Sequence, residues 1–394
     1  MMATEERQAR WEVQLGFLTF GRLLLNTMLR LGYPFLPELA RGLAVSQADI
    51  ASVIALGNLS GLASPLFGPL SERFGRRLMI VISYLILGLG ALLLLIWPRF
   101  WALSVFLILL ALMKVIHDPA LQAYVGERVP YNRRGRAIAV IEIAWGGALL
   151  FGAPLVGWLI QWQNWAAPYI LFSLLGMLVG LLLYRLMPRA LPVAGRLVAK
   201  RGDWARLLNR PVVWATASFL ILLVLANDIF FIVYGDWLET RFNLELTQVG
   251  LSSSVIGAAE LVGITLVGFL SDRLGKRRLI LIMGLVNSVA YALIPAIDFG
   301  LVPALLALFL LFFSFEATIV GSLPLLTELV PEARAVFISV MTGAMSLGRG
   351  LGSFIGPRLP AGIEANSYVA AALMIVALLI LWRFVTDPGD AAAH

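Results

Sequence analysis

Gly268-Phe-Leu-Ser-Asp272-Arg273-Leu-Gly275-Lys276-Arg277-Arg278 is a charged knot between two long apolar runs. Gly68-Pro-Leu-Ser-Glu72-Arg73-Phe-Gly75-Arg76-Arg77 is a near copy, with Gly68 standing where the second copy has Gly268. Two apolar segments joined by so short a basic turn are expected to be adjacent antiparallel helices. The same turn occurring twice implies that the arrangement occurs twice.

Composition supports a bilayer setting. The chain has 394 residues, of which 60% are hydrophobic and 13% charged, with mean hydropathy +0.90. A soluble domain carries about a quarter charged residues, and lipid in place of water around the molecule removes the need for them. The net charge of +7 is spread over short loops and is not gathered on one face or arm, which fits membrane orientation and not nucleic acid. With no Cys, and His117 and His394 as the two histidines, neither thiolate chemistry nor a His-rich metal site is expected, and no cofactor is called for. Met1–Arg10 is charged and runs straight into an apolar stretch, so no cleavable leader is evident.

A span needs about 20 mostly apolar residues. Twelve such stretches can be marked, at 11–37, 46–70, 77–97, 100–125, 136–160, 166–187, 211–238, 247–270, 278–298, 301–327, 334–359 and 366–386. The expected fold is therefore all-α: two pseudo-symmetric six-helix bundles, 1–187 and 211–394, joined by a polar linker at 188–210. Most Lys and Arg fall at the termini, the linker and the even-to-odd loops, whereas the other side holds Arg41, Arg99 and Arg241, so both termini are expected to be cytoplasmic. A second landmark, Arg134 in Val-Pro-Tyr-Asn-Arg-Arg134-Gly-Arg, recurs as Arg334 in Val-Pro-Glu-Ala-Arg334, with the same offset as the knots. Parallel repeats of this kind place a substrate site between the halves, near mid-membrane.

Charge inside the spans is selective. Spans 3, 6, 9 and 12 are almost free of it, which makes them the lipid-facing candidates. The others, expected to surround a cavity, carry Arg22, Asn26 and Arg30 (span 1), Lys114, His117 and Asp118 (span 4), Glu142 (span 5), Asp228 (span 7), Glu260 (span 8), Glu316 (span 10) and Arg349 (span 11). At about 1.5 Å per residue, Asp118 and Glu260 lie roughly 16–18 Å above the basic end. A charge at such depth costs roughly 2.5–3.5 kcal/mol and should face protein or water. A carboxylate whose neighbours change with conformation can take up and release a proton. Asp118, Glu260 and Glu316 are the first candidates for that role, with Arg22 and Arg349 as charge partners. Static pairs Arg22–Asp118 and Arg349–Glu316 are the structural alternative. Phe230, Phe231, Tyr234, Phe312, Phe313 and Phe315 offer an aromatic lining.

The paired knots resemble the loop 2–3 and loop 8–9 motif of the major facilitator superfamily, and the resemblance extends over the whole chain. It implies a cytoplasmic latch of Gly68, Glu72, Arg73, Gly75 and Arg76 with Glu127, and of Gly268, Asp272, Arg273, Gly275 and Lys276 with Glu328. In that latch Arg73 and Arg273 would pair with Glu127 and Glu328, and Gly68 and Gly268 would permit close helix approach. Span 5, with Gly147, Gly152, Pro154 and Gly157, is similar to the glycine/proline motif of drug antiporters, with Ala153 in place of the Gly before Pro. The Arg that such antiporters carry in span 4 would fall near Leu107 and is absent.

These readings lead to an expected multi-pass transporter of the plasma (inner) membrane, monomeric, exchanging protons for a small amphipathic or lipid-like organic solute. The alternatives are a lipid or lysolipid flippase, and a proton symporter for a sugar or organic anion. From other classes, a membrane-embedded hydrolase using His117–Asp118 or a non-transporting receptor stand further off.

Overall fold

The computed structural model describes residues 2–64, 73–188, 207–297, 299–330, 334–360 and 362–385. Gly68, Glu72, most of the linker and the side chains of Asp272 and Arg334 lie outside the described residues.

The described chain is helical. In order it forms α1 (Met2–Arg30), α2 (Leu36–Leu43), α3 (Gln47–Leu59) with a 3-10 turn at Ser60–Ala63, α4 (Arg76–Ile96), α5 (Phe100–Arg128), α6 (Tyr131–Gly147), a π segment at Ala148–Gly152, α7 (Ala153–Trp162) and α8 (Ala167–Leu186). After the linker come α9 (Pro211–Phe231), α10 (Tyr234–Phe242), α11 (Leu246–Leu274), α12 (Lys276–Leu293), α13 (Leu301–Leu329), α14 (Arg334–Ile355) and α15 (Gly362–Phe384). Nine helical spans among the described residues are long and apolar enough to cross a membrane, or ten when the pair α2–α3, bent by 115°, is counted as one. The sequence suggested twelve. The long helices α1 and α14, which carry Arg22, Arg30 and Arg349, are outside that count.

Local chemistry repeats across the two parts. Gly75 (φ 87°) and Gly275 (φ 81°) hold the same left-handed turn before α4 and α12. Ala44 (φ 54°) ends α2 as Asn243 (φ 50°) ends α10. Capping boxes open the next helices, Ser46 with Asp49 on α3 and Glu245 with Gln248 on α11. Spans 1 and 7 are each interrupted, at 31–35 and at Ile232–Val233, so both become a long helix followed by a short one. Pro34 explains the first break, since its ring removes a backbone donor. A Cβ at Gly275 would meet no atom within 4 Å. Gly275→Ala should therefore cost about 1–2 kcal/mol, from the left-handed backbone alone. Equilibrium unfolding of the purified variant in detergent checks this.

Packing sorts the helices. α4 packs on α5 and α8, and α12 packs on α13 and α15. These outer helices present Leu89, Leu178, Leu285 and Leu379, each more than half exposed, as lipid-facing residues would be. The segments before and after the linker meet along two crossings. The π segment and α7 lie on α11, and α3 with its 3-10 turn lies on α14. Both crossings are glycine-lined: a Cβ on Gly257 would sit 2.5 Å from the Gly146 carbonyl oxygen, and one on Gly350 would sit 2.7 Å from Leu59. Small residues at such spacing let backbones touch.

Candidate functional site

The crossings lie away from the basic turns and seal one end of the molecule. At that end Arg41 pairs with Glu239 at 2.7 Å, Gln47 donates to Asp236 at 2.8 Å, and Gln161 donates to Glu245 at 3.0 Å. Arg358 reaches the hydroxyl of Ser52 at 2.7 Å, and Gly235 is pressed on the Pro34 carbonyl. Each of these contacts joins a residue before the linker to one after it. Toward the basic end the two parts separate: a Cβ on Gly268 would meet nothing within 4 Å, and Leu323 is 46% exposed. Gly268, expected to permit close helix approach, has no such neighbour in this conformation.

Between the segments before and after the linker lies a cavity of about 340 Å³, with the 46%-exposed Leu323 in its wall toward the basic end. This falls within the roughly 300–1,000 Å³ of small-molecule sites. Spans 1, 2, 5, 7, 8, 10 and 11 line it, through residues that include Arg30, Tyr33, Asn58, Glu142, Trp145, Asp228, Glu260, Glu316 and Arg349. Span 4, expected among the lining helices, contributes no lining residue among those described. His117 is fully buried against Tyr84, and Asp118 lies against Arg22.

Three charge networks hold the region together. In the first, Arg22 on α1 contacts Asp118 at 3.4 Å and Glu142 at 2.9 Å and also donates to the Ile141 carbonyl. Asp118 further holds Lys114, one turn away, at 2.5 Å, and the His117 Nδ1 at 3.1 Å, while Tyr84 meets the other ring nitrogen of His117 at 3.0 Å. Asn26 donates to the Ala144 carbonyl at 3.0 Å. The whole network belongs to the first half, and only Glu142 reaches the cavity.

In the second, Arg30 and Glu260 form a bidentate pair at 2.7 and 2.5 Å, both side chains 4% exposed or less. Arg30 also donates to the Trp145 carbonyl at 3.1 Å and lies 4.4 Å over the Trp145 ring. The planar guanidinium suits this double recognition, two oxygens in its plane and a π face beneath. Arg22 and Arg349 were the expected charge partners of Asp118, Glu260 and Glu316 together. The break after Arg30 instead brings the end of α1 to α11, and the partner is Arg30.

In the third, Arg349 Nε is 3.6 Å from Asp228, not paired with Glu316 as the structural alternative supposed. Asp228 also accepts from Tyr33 at 3.1 Å and from Ser353 at 3.3 Å, and Asn58 donates to both of those hydroxyls. Glycine permits this: Gly352 leaves room for the Asp228 Cβ where α14 crosses α9. Glu316, buried on α13 and lining the cavity, makes no ion pair or hydrogen bond among the described residues.

The aromatic expectation divides. Phe231, Phe312 and Phe315 line the cavity, and Tyr33 stacks on Phe231 at 4.3 Å. Tyr234 stacks behind Phe231, Phe230 packs on Tyr291, and Phe313 stacks on Phe309, so none of these three lines the cavity. Trp145, Asn58 and Ser353 were not singled out from the sequence. Trp145 stands three residues after Glu142, the spacing that shares a helix face, and that was its available signal. Its ring lies within 6 Å of Arg30, Lys114 and Arg349, one cation from each network.

At the basic turns the pairs are shifted. Arg76 contacts Glu127 at 3.3 Å and Lys276 contacts Glu328 at 2.6 Å. Arg73 and Arg273, the expected partners, are exposed and make no ion pair among the described residues. A glycine at positive φ stands between Arg73 and Arg76 and between Arg273 and Lys276, and in each turn the residue after the glycine meets the acid near the end of α5 or α13. Arg77 and Arg277 bind the carbonyls of Tyr184 and Trp382, again in parallel. In span 5, Gly152 accommodates Thr27, and Gly157 and Pro154 lie on the start of α11, at Leu246 and Gly250; Gly147 accommodates Leu23.

Comparison with known proteins places this geometry. The family model described as the Major Facilitator Superfamily matches residues 18–235 and 221–393. The chain is 23% identical over 392 residues to the "Multi-drug resistance efflux pump PmrA homolog" of Lactococcus lactis, covering 96% of each chain. It is 26% identical over 395 residues to "Multidrug resistance protein MdtG" of Escherichia coli, covering 95% of this chain and 93% of that one. Among solved structures, the inward open conformation of the xylose transporter XylE from E. coli superposes with a TM-score of 0.76 at 18% identity, over 96% and 97% of the two chains. These relatives are transporters, and the apolar helices are those of a multi-pass membrane protein. The cavity between the segments before and after the linker is thus explained by descent: the chain belongs to the Major Facilitator Superfamily.

Proposed function

We propose that this transporter is a proton-coupled antiporter that exports a small amphipathic organic solute from the cytoplasm. Its two halves rock about the central cavity, with the basic end at the cytoplasmic face of the inner membrane. The observation that carries the reading is the cavity: an apolar and aromatic wall with four carboxylates and two guanidinium groups, sealed on one side only. An apolar wall with a few convergent polar groups is what an amphipathic ligand needs. Two relatives named as multidrug proteins agree with this class. Orientation rests on the basic loops, and the conformation is then inward-open. In this reading the basic turns with Glu72 and Asp272 form the latch that closes the cytoplasmic side in the opposite conformation, and the glycine motif of span 5 is a bearing surface between the halves.

Arg30 and Arg349, which would suit the anionic headgroup of a lysolipid or an organic anion, are engaged by Glu260 and Asp228. That weighs against the flippase and anion-symport readings.

Purified protein in inside-out oriented vesicles with an acidic lumen should accumulate amphipathic solutes at least tenfold over protein-free vesicles. Nigericin, which collapses the pH gradient, should abolish the accumulation. Accumulation of no solute above the protein-free level, or accumulation indifferent to the gradient, would show the reading to be wrong.

A further inference from the structure

The sealed end holds a second cavity of about 340 Å³, none of whose lining residues lines the central one. It lies among α10, the 3-10 turn at Gly356–Arg358 and the first turns of α15. A single lining residue comes from before the linker. This is Gln47 at the start of α3, which donates to Asp236 at 2.8 Å.

The lining carries both signs of charge. Asp236, Trp237, Thr240 and Arg241 share one face of α10 and border the cavity. Asp236 and Arg241 are its charged groups, about 7.5 Å apart along the helix axis. Other charges nearby are engaged elsewhere: Glu239 holds Arg41 at 2.7 Å, and Arg358 reaches the Ser52 hydroxyl. α15 adds a donor group and an acceptor. Its first turn, at Gly362 and Ile363, brings backbone N–H groups that no carbonyl of the helix can take. One turn further, Asn366 is fully buried in the cavity wall. Its amide nitrogen donates to the Ile229 and Gly356 carbonyls at 2.7 and 2.9 Å, and its Oδ1 has no partner among the described residues. Leaving a buried oxygen unpaired is costly, and a donor on a ligand answers it. Apolar wall comes from Trp237, Leu359 and Ile363. A lone cation entering here meets Arg241 and a lone anion meets Asp236, whereas a molecule of both charges is complementary to the pair.

We infer that this cavity is a second ligand site, for a small zwitterion of the amino-acid kind with an apolar side chain. Asp236 and the Asn366 Oδ1 receive its ammonium group, and Arg241 with the first turn of α15 receives its carboxylate. Arg241 has five N–H donors, so a bond made elsewhere does not exhaust it. Gln47 completes the wall only while the two halves are closed on each other at this end. The ligand therefore binds the sealed conformation better than the opened one, and by linkage it holds that end shut. The site is a brake on the cycle, applied at the end opposite the basic turns. It rests on the rocking of the halves proposed above, and not on proton coupling or on the solute carried.

The test is a labelling experiment on the purified full chain. Thr240 is an exposed lining residue whose hydroxyl donates to the Asp236 carbonyl of its own helix at 2.6 Å. Thr240→Cys therefore places a single thiol in the cavity of a chain without Cys. L-Phenylalanine at about 10 mM is expected to slow maleimide labelling of that thiol roughly tenfold, the protection given by a ligand at about ten times its dissociation constant. L-Phenylalaninamide, with the positive charge alone, and 3-phenylpropionate, with the negative charge alone, should leave labelling nearly unchanged. Asp236→Asn and Arg241→Gln, each added to Thr240→Cys, should abolish the protection by phenylalanine while unfolding near the parent temperature. Phenylalanine should also raise the unfolding temperature of the unmodified chain, a measurement that needs no variant to fold. Gly350→Val, which overpacks the α3–α14 crossing and favours the opened end, should lose most of the protection. Equal protection by either single-charge compound overturns the zwitterion, and no protection with no rise in unfolding temperature overturns the site. Full protection in Gly350→Val overturns the brake. Failure of every solute to follow a pH gradient would defeat the antiport reading and leave each of these outcomes as it stands.

Discussion

Arg30→Ala is expected to destabilise the protein by about 3–5 kcal/mol, the cost of leaving a buried ion without its partner. Glu260→Gln should cost less, and the difference follows from the neighbourhood of the pair. Arg30 and Glu260 are joined by two short hydrogen bonds between α1 and α11, and Glu316 lines the same cavity with no ion pair among the described residues. When Glu260 is neutralised, Arg30 still has a carboxylate within reach. When Arg30 is removed, Glu260 and Glu316 become two neighbouring buried acids with no cation between them. The double variant Arg30→Met with Glu260→Leu should recover most of the loss, since a buried pair is commonly no more stabilising than apolar side chains of similar size. Equilibrium unfolding of the four proteins in one detergent measures the three differences. Equal losses for both single variants would mean that Glu316 is not within reach of Arg30.

That pair marks where the sequence stops being informative. Counting 1.5 Å per residue from the basic turns places Arg22, Asp118 and Glu260 at similar depth, and the structure does bring Arg22 to Asp118. Depth does not give azimuth. Which acids meet which arginines depends on how each helix is rotated and where it breaks, and Pro34 signals the break after Arg30 without saying which acid Arg30 then meets. The same limit let Asp118 and His117 be assigned to the cavity, whose described lining includes neither. It also left Trp145 unnoticed, because an aromatic residue in an apolar run has no signal except its spacing from Glu142.

The repeat, by contrast, was fully legible in one dimension. Gly75 and Gly275 hold the same place in the two knots, and both adopt positive φ. Glu127 and Glu328 were named as the acids facing the turns, and both are engaged there, by Arg76 and Lys276. The partners were expected at Arg73 and Arg273, and a glycine at positive φ stands between each of these and the residue that meets the acid. Sequence symmetry fixes which residues correspond, and local backbone geometry decides which of them point inward.

Gly257→Val is expected to lower the transport rate by about tenfold or more and to hold the sealed end open. At Gly257 the backbones of the two halves touch: a Cβ would lie 2.5 Å from the Gly146 carbonyl oxygen and 2.9 Å from the Leu150 Cα. Neither neighbour is a flexible side-chain tip, so the helices must separate or the state must be abandoned. Overpacking of this kind costs about 1–3 kcal/mol, which in a two-state equilibrium is roughly a 5–150-fold shift. The halves meet at a second crossing, where Ala55 on α3 is buried against α14 opposite Gly350. If each half moves as a rigid body, forcing the first crossing apart must expose the second. The chain contains no Cys, so a single Ala55→Cys reporter suffices. An impermeant maleimide added from the sealed side should label it slowly in the parent and at least tenfold faster with Gly257→Val. Unchanged labelling alongside lost transport would mean that the two crossings open independently, and a rocking of whole halves would have to be given up in favour of bending within the helices.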